Sequence, residues 1–486
     1  MLADSMRFTD FEVLNQKFTD FAYSLYENRI KAISNLSEYK PGFFVATNLI
    51  DFWSFCLILP YFDDHFTFAL FLSFVLFNGS IFQFLAIKLK IAKNVSLFKF
   101  IHLNYGRRIY LSFCITSWLA VTMKIAANFV LFSLSFENYF NLHPLFPQIF
   151  ICVCIAVLLK FDFFKYEKVV LLQILIFVLI LLVMIAMPFV DLEVQPGKNN
   201  NPDFDFFGKA FNIILLISSS FVPSNIYVHS HLVHPSKDKD NAKKEIANNF
   251  VKYLLSLSVC AVFNVILSTM YSGSFIAHQN AILSFKNTNS ENLIFSLLVL
   301  LISFYKIINF VFSATLIAQE LVDLDFPGWD FNHFATCYSF LLPAFFVFAG
   351  YILMQTEHLL HICQFVVSST YVFLIVTLSR FTNSRKVMKR FANNNFTKVV
   401  AISMSFFCIV VVSAVSWIVF DPLKKNFLVK LVFVCLSLIL IVLFLSVIVY
   451  LYFLKFKENG QKKYELMADS NEAESDYADF LISENE

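Results

Sequence analysis

Charged residues are scarce in this chain, and their scarcity excludes an ordinary soluble domain. Only 15% of the 486 residues are Asp, Glu, Lys or Arg, whereas 58% are hydrophobic. A composition this apolar is typical of an integral membrane protein, so the lipid bilayer is an expected partner. The formal net charge is only +2, which gives no reason to expect a nucleic-acid partner.

Glycine and paired cysteines are also scarce. The chain has 9 Gly against 64 Phe, an imbalance that indicates a biased genome composition, so many Phe are interpreted as apolar filler. The cysteines are scattered and form no Cys-x-x-Cys motif, which favours small buried apolar residues over redox or metal centres. The first 40 residues are polar and charged, so no cleavable signal peptide is expected. We expect neither an enzyme nor a bound cofactor.

Long apolar runs dominate the rest of the chain. Their lengths are typical of helices that cross a bilayer, which predicts an all-α integral membrane protein. About twelve transmembrane spans are predicted, near 43–60, 65–87, 109–132, 145–160, 168–189, 207–232, 250–274, 293–321, 334–354, 358–379, 398–420 and 427–454.

Basic residues are concentrated in the connections that follow spans 2, 6 and 10. Examples are Lys88, Arg107, Lys239 and Arg385, while the loops on the opposite side hold far fewer. Because cytoplasmic loops carry the excess of Lys and Arg, both termini are expected in the cytoplasm. The pattern does not choose between the plasma membrane and an endosomal or vacuolar membrane.

The sixth span, 207–232, has an unusual middle. Three consecutive serines, 218–220, are followed by Val222, Pro223, Ser224 and Asn225. Proline removes a backbone donor and clashes with the preceding turn, and free backbone groups at membrane depth persist only inside protein or beside water. A span broken at its midpoint indicates a transporter binding site. The alternative is a structural helix kinked by its proline.

A polar loop, 190–206, separates five spans from the next five, as an inverted repeat requires. The first span is then the mate of the sixth, and it carries Asp51 in its middle. A carboxylate at bilayer depth is a functional hypothesis by default, although Asp51 could also snorkel from a helix end. The predicted segments are 1–40 (cytoplasmic), 41–190 (first repeat), 207–380 (second repeat), 396–455 (two further helices) and 456–486 (cytoplasmic acidic tail).

The order of several motifs between about Lys40 and Lys398 resembles the Nramp family of proton-coupled divalent-metal transporters. The sequence VPSNIYVHSHLV (222–233) is similar to the family signature in span 6, and Pro41-Gly42-Phe43 with Ile50-Asp51 resembles its span 1. The resemblance implies a LeuT-like 5+5 inverted repeat with two C-terminal helices. Further similar stretches are 82–100, 165–181, 318–329 and 380–391.

The resemblance also implies a metal site, with departures from the family. Asp51 keeps the family acid, but Ser54 replaces the family's Asn. The helix breakers between these two positions are absent, so span 1 is expected to be straighter than a typical span 1 of the family. Backbone carbonyls of Asn48 and Ser219 would be ligands, and Asn48 could add its side-chain oxygen. Val222 replaces the family methionine, whose thioether favours soft metals.

The aligned proton-coupling positions hold no titratable relay. Trp118 and Val121 replace two acids of span 3, Ser224 replaces a histidine of span 6, and Cys337 replaces an arginine of span 9. His229 matches a structural histidine of the family, and neither it nor His231 forms a metal-spacing pair with a carboxylate.

Two lysines, Lys124 and Lys306, lie in the middle of apolar spans, where cations are unexpected in a cation carrier. Each could snorkel, or one could neutralise Asp51 as a tethered substitute for the metal.

These residues predict a monomeric transporter of divalent metal ions such as manganese or iron(II), working by alternating access with a degenerate site and weak proton coupling. A carrier of another solute, in which a lysine replaces the ion, is the first alternative. A relative that senses or scaffolds without transport is the second.

Overall fold

Every regular element in the described part of the chain is a helix. The computed structural model describes residues 65–140, 145–160, 166–186, 217, 222–233, 242–274, 291–325, 356–420, 442 and 445–453. The helices are α1 (His65–Lys93), α2 (Leu97–Tyr105), α3 (Arg107–Phe140), α4 (Leu145–Lys160), α5 (Tyr166–Ala186), α6 (Pro223–Leu232), α7 (Ala242–Ser274), α8 (Glu291–Asp325), α9 (Thr356–Asn383), α10 (Arg385–Met388) and α11 (Asn395–Phe420).

Five segments of these helices are long and apolar enough to cross a membrane. They are Arg107–Ser133, Lys168–Ile185, Ser296–Leu321, Cys363–Asn383 and Asn395–Val415. Each falls on a predicted span, so the all-α membrane fold is confirmed for this part of the chain. Predicted spans 43–60 and 334–354, most of 427–454 and both terminal segments lie outside the described residues. The count of twelve and the repeat therefore stay predictions.

Helices α3 and α8 form the central pair of the bundle and pack along much of their length. In a bilayer the lipid is as apolar as leucine, so helices associate through close packing and hydrogen bonds. The side-chain amide of Gln173 in α5 accordingly donates to the amide oxygen of Asn309 in α8. Both central helices bury small and polar side chains, including Ser117, Thr122, Asn128, Ser133, Ser303, Asn309 and Ser313.

The short helix α6 lies inside the bundle. It packs against α1, α2, α3, α8 and α9, and all of its residues except His231 are buried. Ten residues of α-helix extend about 15 Å, roughly half of the hydrocarbon thickness. A half-length helix with protein on every side is the expected form of a discontinuous span.

Several helix ends meet at one end of the bundle. Lys88 near the end of α1 donates to the Asn393 side-chain oxygen at 2.7 Å, and Arg380 near the end of α9 donates to the Tyr105 hydroxyl at 3.0 Å. Burial raises the pKa of Tyr105 to about 12, so the phenol stays neutral. Gly106, at φ 92°, makes the tight turn between α2 and α3. We call this the basic end, because it carries the basic connections predicted to be cytoplasmic; its side of the membrane stays a prediction.

Candidate functional site

The predicted break in the sixth span is present at Val222. Ile217 is helical, Val222 is extended (φ −115°, ψ 97°), and Pro223 is the first residue of α6. A residue before proline disfavours the helical region, and proline suits the first helical position because it has no N–H to leave unpaired. The Asn225 N–H donates to the Val222 carbonyl at 3.1 Å, which closes the first turn. Helix α6 therefore starts anew at the break.

The side chains beside the break are buried. Val222 offers no side-chain ligand atom, and Ser224 and Asn225 place a hydroxyl and an amide directly after Pro223. Within the described residues, the buried hydroxyl of Ser224 has no hydrogen-bond partner. An unsatisfied buried hydroxyl costs about 1–3 kcal/mol, which makes Ser224 a candidate for contact with a substrate or water.

The other predicted ligands, Asn48, Asp51, Ser54 and Ser219, lie outside the described residues. The expected meeting of Asp51 with the segment from Ser219 to Val222, and the straighter first span, therefore stay predictions. Among the residues that the structure describes, no three His, Cys, Asp or Glu side chains converge as ligands for a metal ion.

Lys124 points into the bundle rather than snorkelling. Its residue is 6% exposed, and its Nζ donates to Oε1 of Gln364 across the interface of α3 and α9 at 3.5 Å. The Gln364 amide nitrogen in turn donates to the Ser368 hydroxyl at 3.1 Å. Lys124 therefore lies in the interface between α3 and α9, two helices that also pack against α6 elsewhere along their lengths.

Lys306 is buried in α8 and is only 2% exposed. Its Nζ lies 5.8 Å from the centre of the Phe310 ring, a cation–π distance, and it is within electrostatic reach of Cys260 in α7. Both lysines are therefore buried inside the bundle rather than snorkelling, and each has a partner in the protein interior.

Two of the aligned proton-relay positions are apolar in the structure. Val121 belongs to the hydrophobic core, and Trp118, also on α3, packs against that core. The third position, Cys337, lies outside the described residues. With the hydroxyl of Ser224, these positions supply no group that titrates near neutral pH.

The two histidines of α6 have different surroundings. Nδ1 of His229 lies 2.9 Å from Oε1 of Gln83, and the ring packs 5.5 Å from Tyr253, which supports the structural role expected for it. His231 is half-exposed at the basic end, and its Nδ1 lies 3.6 Å from Oε2 of Glu320. Glu320 lies on a different helix from His231. Residue spacing within span 6 therefore could not predict this contact.

Sequence reasoning missed Glu320 and Gln364. Glu320 precedes Asp323 and Asp325 at a helix end, where an acid is normally solvated, and Gln364 is a lone polar residue in an apolar span. Only the packing of α8 and α9 against the other helices gives these side chains their partners.

A broken half-span enclosed by other helices of an apolar bundle is typical of a multi-spanning membrane transporter. The chain belongs to the natural resistance-associated macrophage protein-like (Nramp) family, whose model matches residues 65–418. The resemblance found in the sequence is thereby confirmed. Membership in this family makes the chain a membrane transport protein and not an enzyme.

Solved structures of a manganese transporter from Eremococcus coleocola share this fold. A single-residue variant of that transporter matches with a TM-score of 0.67 at 15% identity, covering 86% of this chain and 94% of the other. Its complex with an aromatic bis-isothiourea substituted compound matches with a TM-score of 0.66 at 14% identity and the same coverage. Identities this low show the fold alone. The comparison with curated proteins gives no match.

Proposed function

We propose that the chain moves divalent metal cations by alternating access, through a site between span 1 and the break at Val222. The break is the observation that carries the proposal, because a half-helix frees backbone carbonyls inside the protein. Asp51 would supply the negative charge, Ser54 a hydroxyl oxygen, and Asn48 and Ser219 backbone carbonyls. Such a site is degenerate relative to the family pattern, since one acid and neutral oxygens do most of the binding.

The absence of a thioether at Val222 sets the expected selectivity. Oxygen-rich sites suit hard cations, while thioether sulfur favours softer transition metals. The expected cargo is manganese or iron(II), with poor discrimination against magnesium and calcium.

Restoring the sulfur should change the selectivity. In Val222→Met we expect the ratio of cadmium uptake to magnesium uptake in proteoliposomes to rise about tenfold, because methionine adds a polarizable ligand at the break. Val372→Met is the matched control, since Val372 is an equally buried valine on α9. An unchanged ratio in Val222→Met, or an equal rise in both variants, would contradict the proposed position of the site.

Weak proton coupling is expected from the groups at the aligned relay positions. Val121, Trp118 and Ser224 cannot exchange protons near neutral pH, so an inward proton gradient should accelerate manganese uptake by less than about twofold. The measurement is radiolabelled manganese uptake into proteoliposomes with and without an imposed pH gradient, against protein-free liposomes. Uptake at the protein-free level would reject metal transport. Strong acid stimulation would show that a proton path runs through other residues.

The Lys124–Gln364 contact favours a second candidate function. A buried ammonium between α3 and α9 could neutralise Asp51 permanently, and the protein would then carry another solute without a metal ion. The two functions predict different effects on manganese uptake when the Lys124 charge is removed.

A further inference from the structure

The carboxylate of Glu320, near the end of α8, joins helices that are far apart in the sequence. Its side chain is 11% exposed. Oε1 accepts a hydrogen bond from the Ser96 hydroxyl at 2.5 Å, and Oε2 accepts one from the Tyr227 hydroxyl at 3.2 Å. Oε2 also lies 3.6 Å from Nδ1 of His231, an ion pair whenever the imidazole is protonated. One carboxylate thus holds α8 to the start of α2 and to α6.

The partners of Glu320 are themselves positioned by further contacts. Ser96 caps α2 by accepting from the Lys99 N–H at 3.3 Å, and the Leu97 N–H donates to the Ser230 hydroxyl of α6 at 3.3 Å. The Tyr110 hydroxyl of α3 donates to the Glu320 backbone carbonyl at 2.8 Å. We call Ser96, Tyr110, Tyr227, His231 and Glu320 the Glu320 cluster.

The charged surroundings of the cluster belong to the basic end. Lys90 at the end of α1 is within electrostatic reach of Glu320; burial lowers the pKa of Lys90, and the carboxylate opposes that shift. Lys99 of α2 is within electrostatic reach of Lys90, and the His102 ring packs 5.2 Å from Tyr110. The carboxylate therefore has a cationic neighbour in Lys90, which stabilises it at a partly buried position.

The contacts in the cluster are of a kind that can separate and re-form. The ring of Phe98 in α2 stacks on Tyr227 at 4.4 Å, but the contacts of the Glu320 carboxylate itself are with two hydroxyls and a half-exposed imidazole. Groups of this kind can be hydrated by water when they part, which lowers the cost of separating them.

We propose that the Glu320 cluster is a latch that closes the basic end of the transport pathway by holding α6 against α2 and α8. The inference rests on the alternating access of the proposed function, since only a carrier of that kind must open and reseal this end. Glu320 acts as a positioning residue: it touches no cargo, and its release lets α6 move away from α2.

Cys114 provides a native reporter for the latch. Its thiol is fully buried on α3, one turn beyond Tyr110, and is within electrostatic reach of Tyr227. With the purified protein in nanodiscs, a water-soluble maleimide and peptide mass spectrometry give the labelling rate of each cysteine. We expect Glu320→Ala to label Cys114 at least tenfold faster than the unmodified protein. Tyr227→Phe, which keeps the ring stack but loses the hydroxyl, should give an increase of a few fold.

Two controls separate latch opening from loss of structure. Cys408 is equally buried and contacts Asn78 of α1, so its labelling should stay unchanged in both variants. Glu245→Gln neutralises another carboxylate, in the first turn of α7, and should leave Cys114 protected. Glu320→Asp keeps the charge and should restore most of the protection lost in Glu320→Ala.

Two results would overturn the latch. One is an unchanged Cys114 rate in Glu320→Ala, and the other is a parallel rise at Cys408. The labelling is read without an ion gradient, so it does not depend on the identity of the cargo. Faster Cys114 labelling in a protein that moves no metal would support the latch and reject only the proposed cargo.

Discussion

Asp51→Asn is expected to abolish divalent-cation uptake. Asparagine keeps the shape and one oxygen of the side chain but removes the charge, and neither span 43–60 nor span 207–232 contains another acid. Removing one partner from a buried charge pair costs about 3–5 kcal/mol, which corresponds to more than a hundredfold loss of affinity. Backbone carbonyls and the Ser54 hydroxyl cannot replace that contribution.

The measurement is radiolabelled manganese uptake at matched protein density in proteoliposomes. Asp51→Glu keeps the charge and should retain measurable uptake, whereas Glu245→Gln removes a carboxylate far along the chain and should behave as the unmodified protein. Protection of Cys408 from maleimide confirms that each variant is folded. Manganese uptake by Asp51→Asn within about twofold of the unmodified rate would rule out Asp51 as the charge of the site.

The positions of the helices follow from hydropathy, but their full lengths do not. The predicted span 145–160 coincides with α4, while the predicted span 109–132 is a part of the longer α3. An apolar run reports the membrane-embedded part of a helix, and polar turns extend it beyond that part. Helix α2 was missed because it is a short helix in a basic connection, set by the Ser96 cap at its start.

The break at Val222 could be predicted because its cause is local. Proline fixes its own backbone and biases the residue before it, whatever the rest of the fold does. The pairs Lys124–Gln364 and Ser96–Glu320 could not be predicted, since they join residues 240 and 224 positions apart. Periodicity shows which face of a helix is apolar, but it does not show which distant helix will cover that face.

The second large effect is expected from Lys124→Met, which should increase the affinity for divalent cations. Lys124 is a buried positive charge on α3, and repulsion between it and an incoming cation is weakly screened inside the bundle. Methionine has a similar length and no charge, so the variant removes the repulsion while filling the space. It also releases Oε1 of Gln364, an amide oxygen of the kind that manganese accepts.

The expected result is a fall of tenfold or more in the KM for manganese uptake, with Lys124→Arg close to the unmodified value because it keeps the charge. Lys306→Met is the matched control: it removes the same charge from an equally buried position, but on α8 beside Phe310 rather than against Gln364. An equal fall in both methionine variants would show that general electrostatics, rather than the Lys124–Gln364 contact, limits metal binding.

Manganese uptake by the unmodified protein separates the two proposed functions. If it takes up no manganese while Lys124→Met does, the lysine occupies the role of the ion and the natural cargo is another solute. If the unmodified protein transports manganese and Lys124→Met only lowers its KM, Lys124 tunes a metal site that Asp51 already holds.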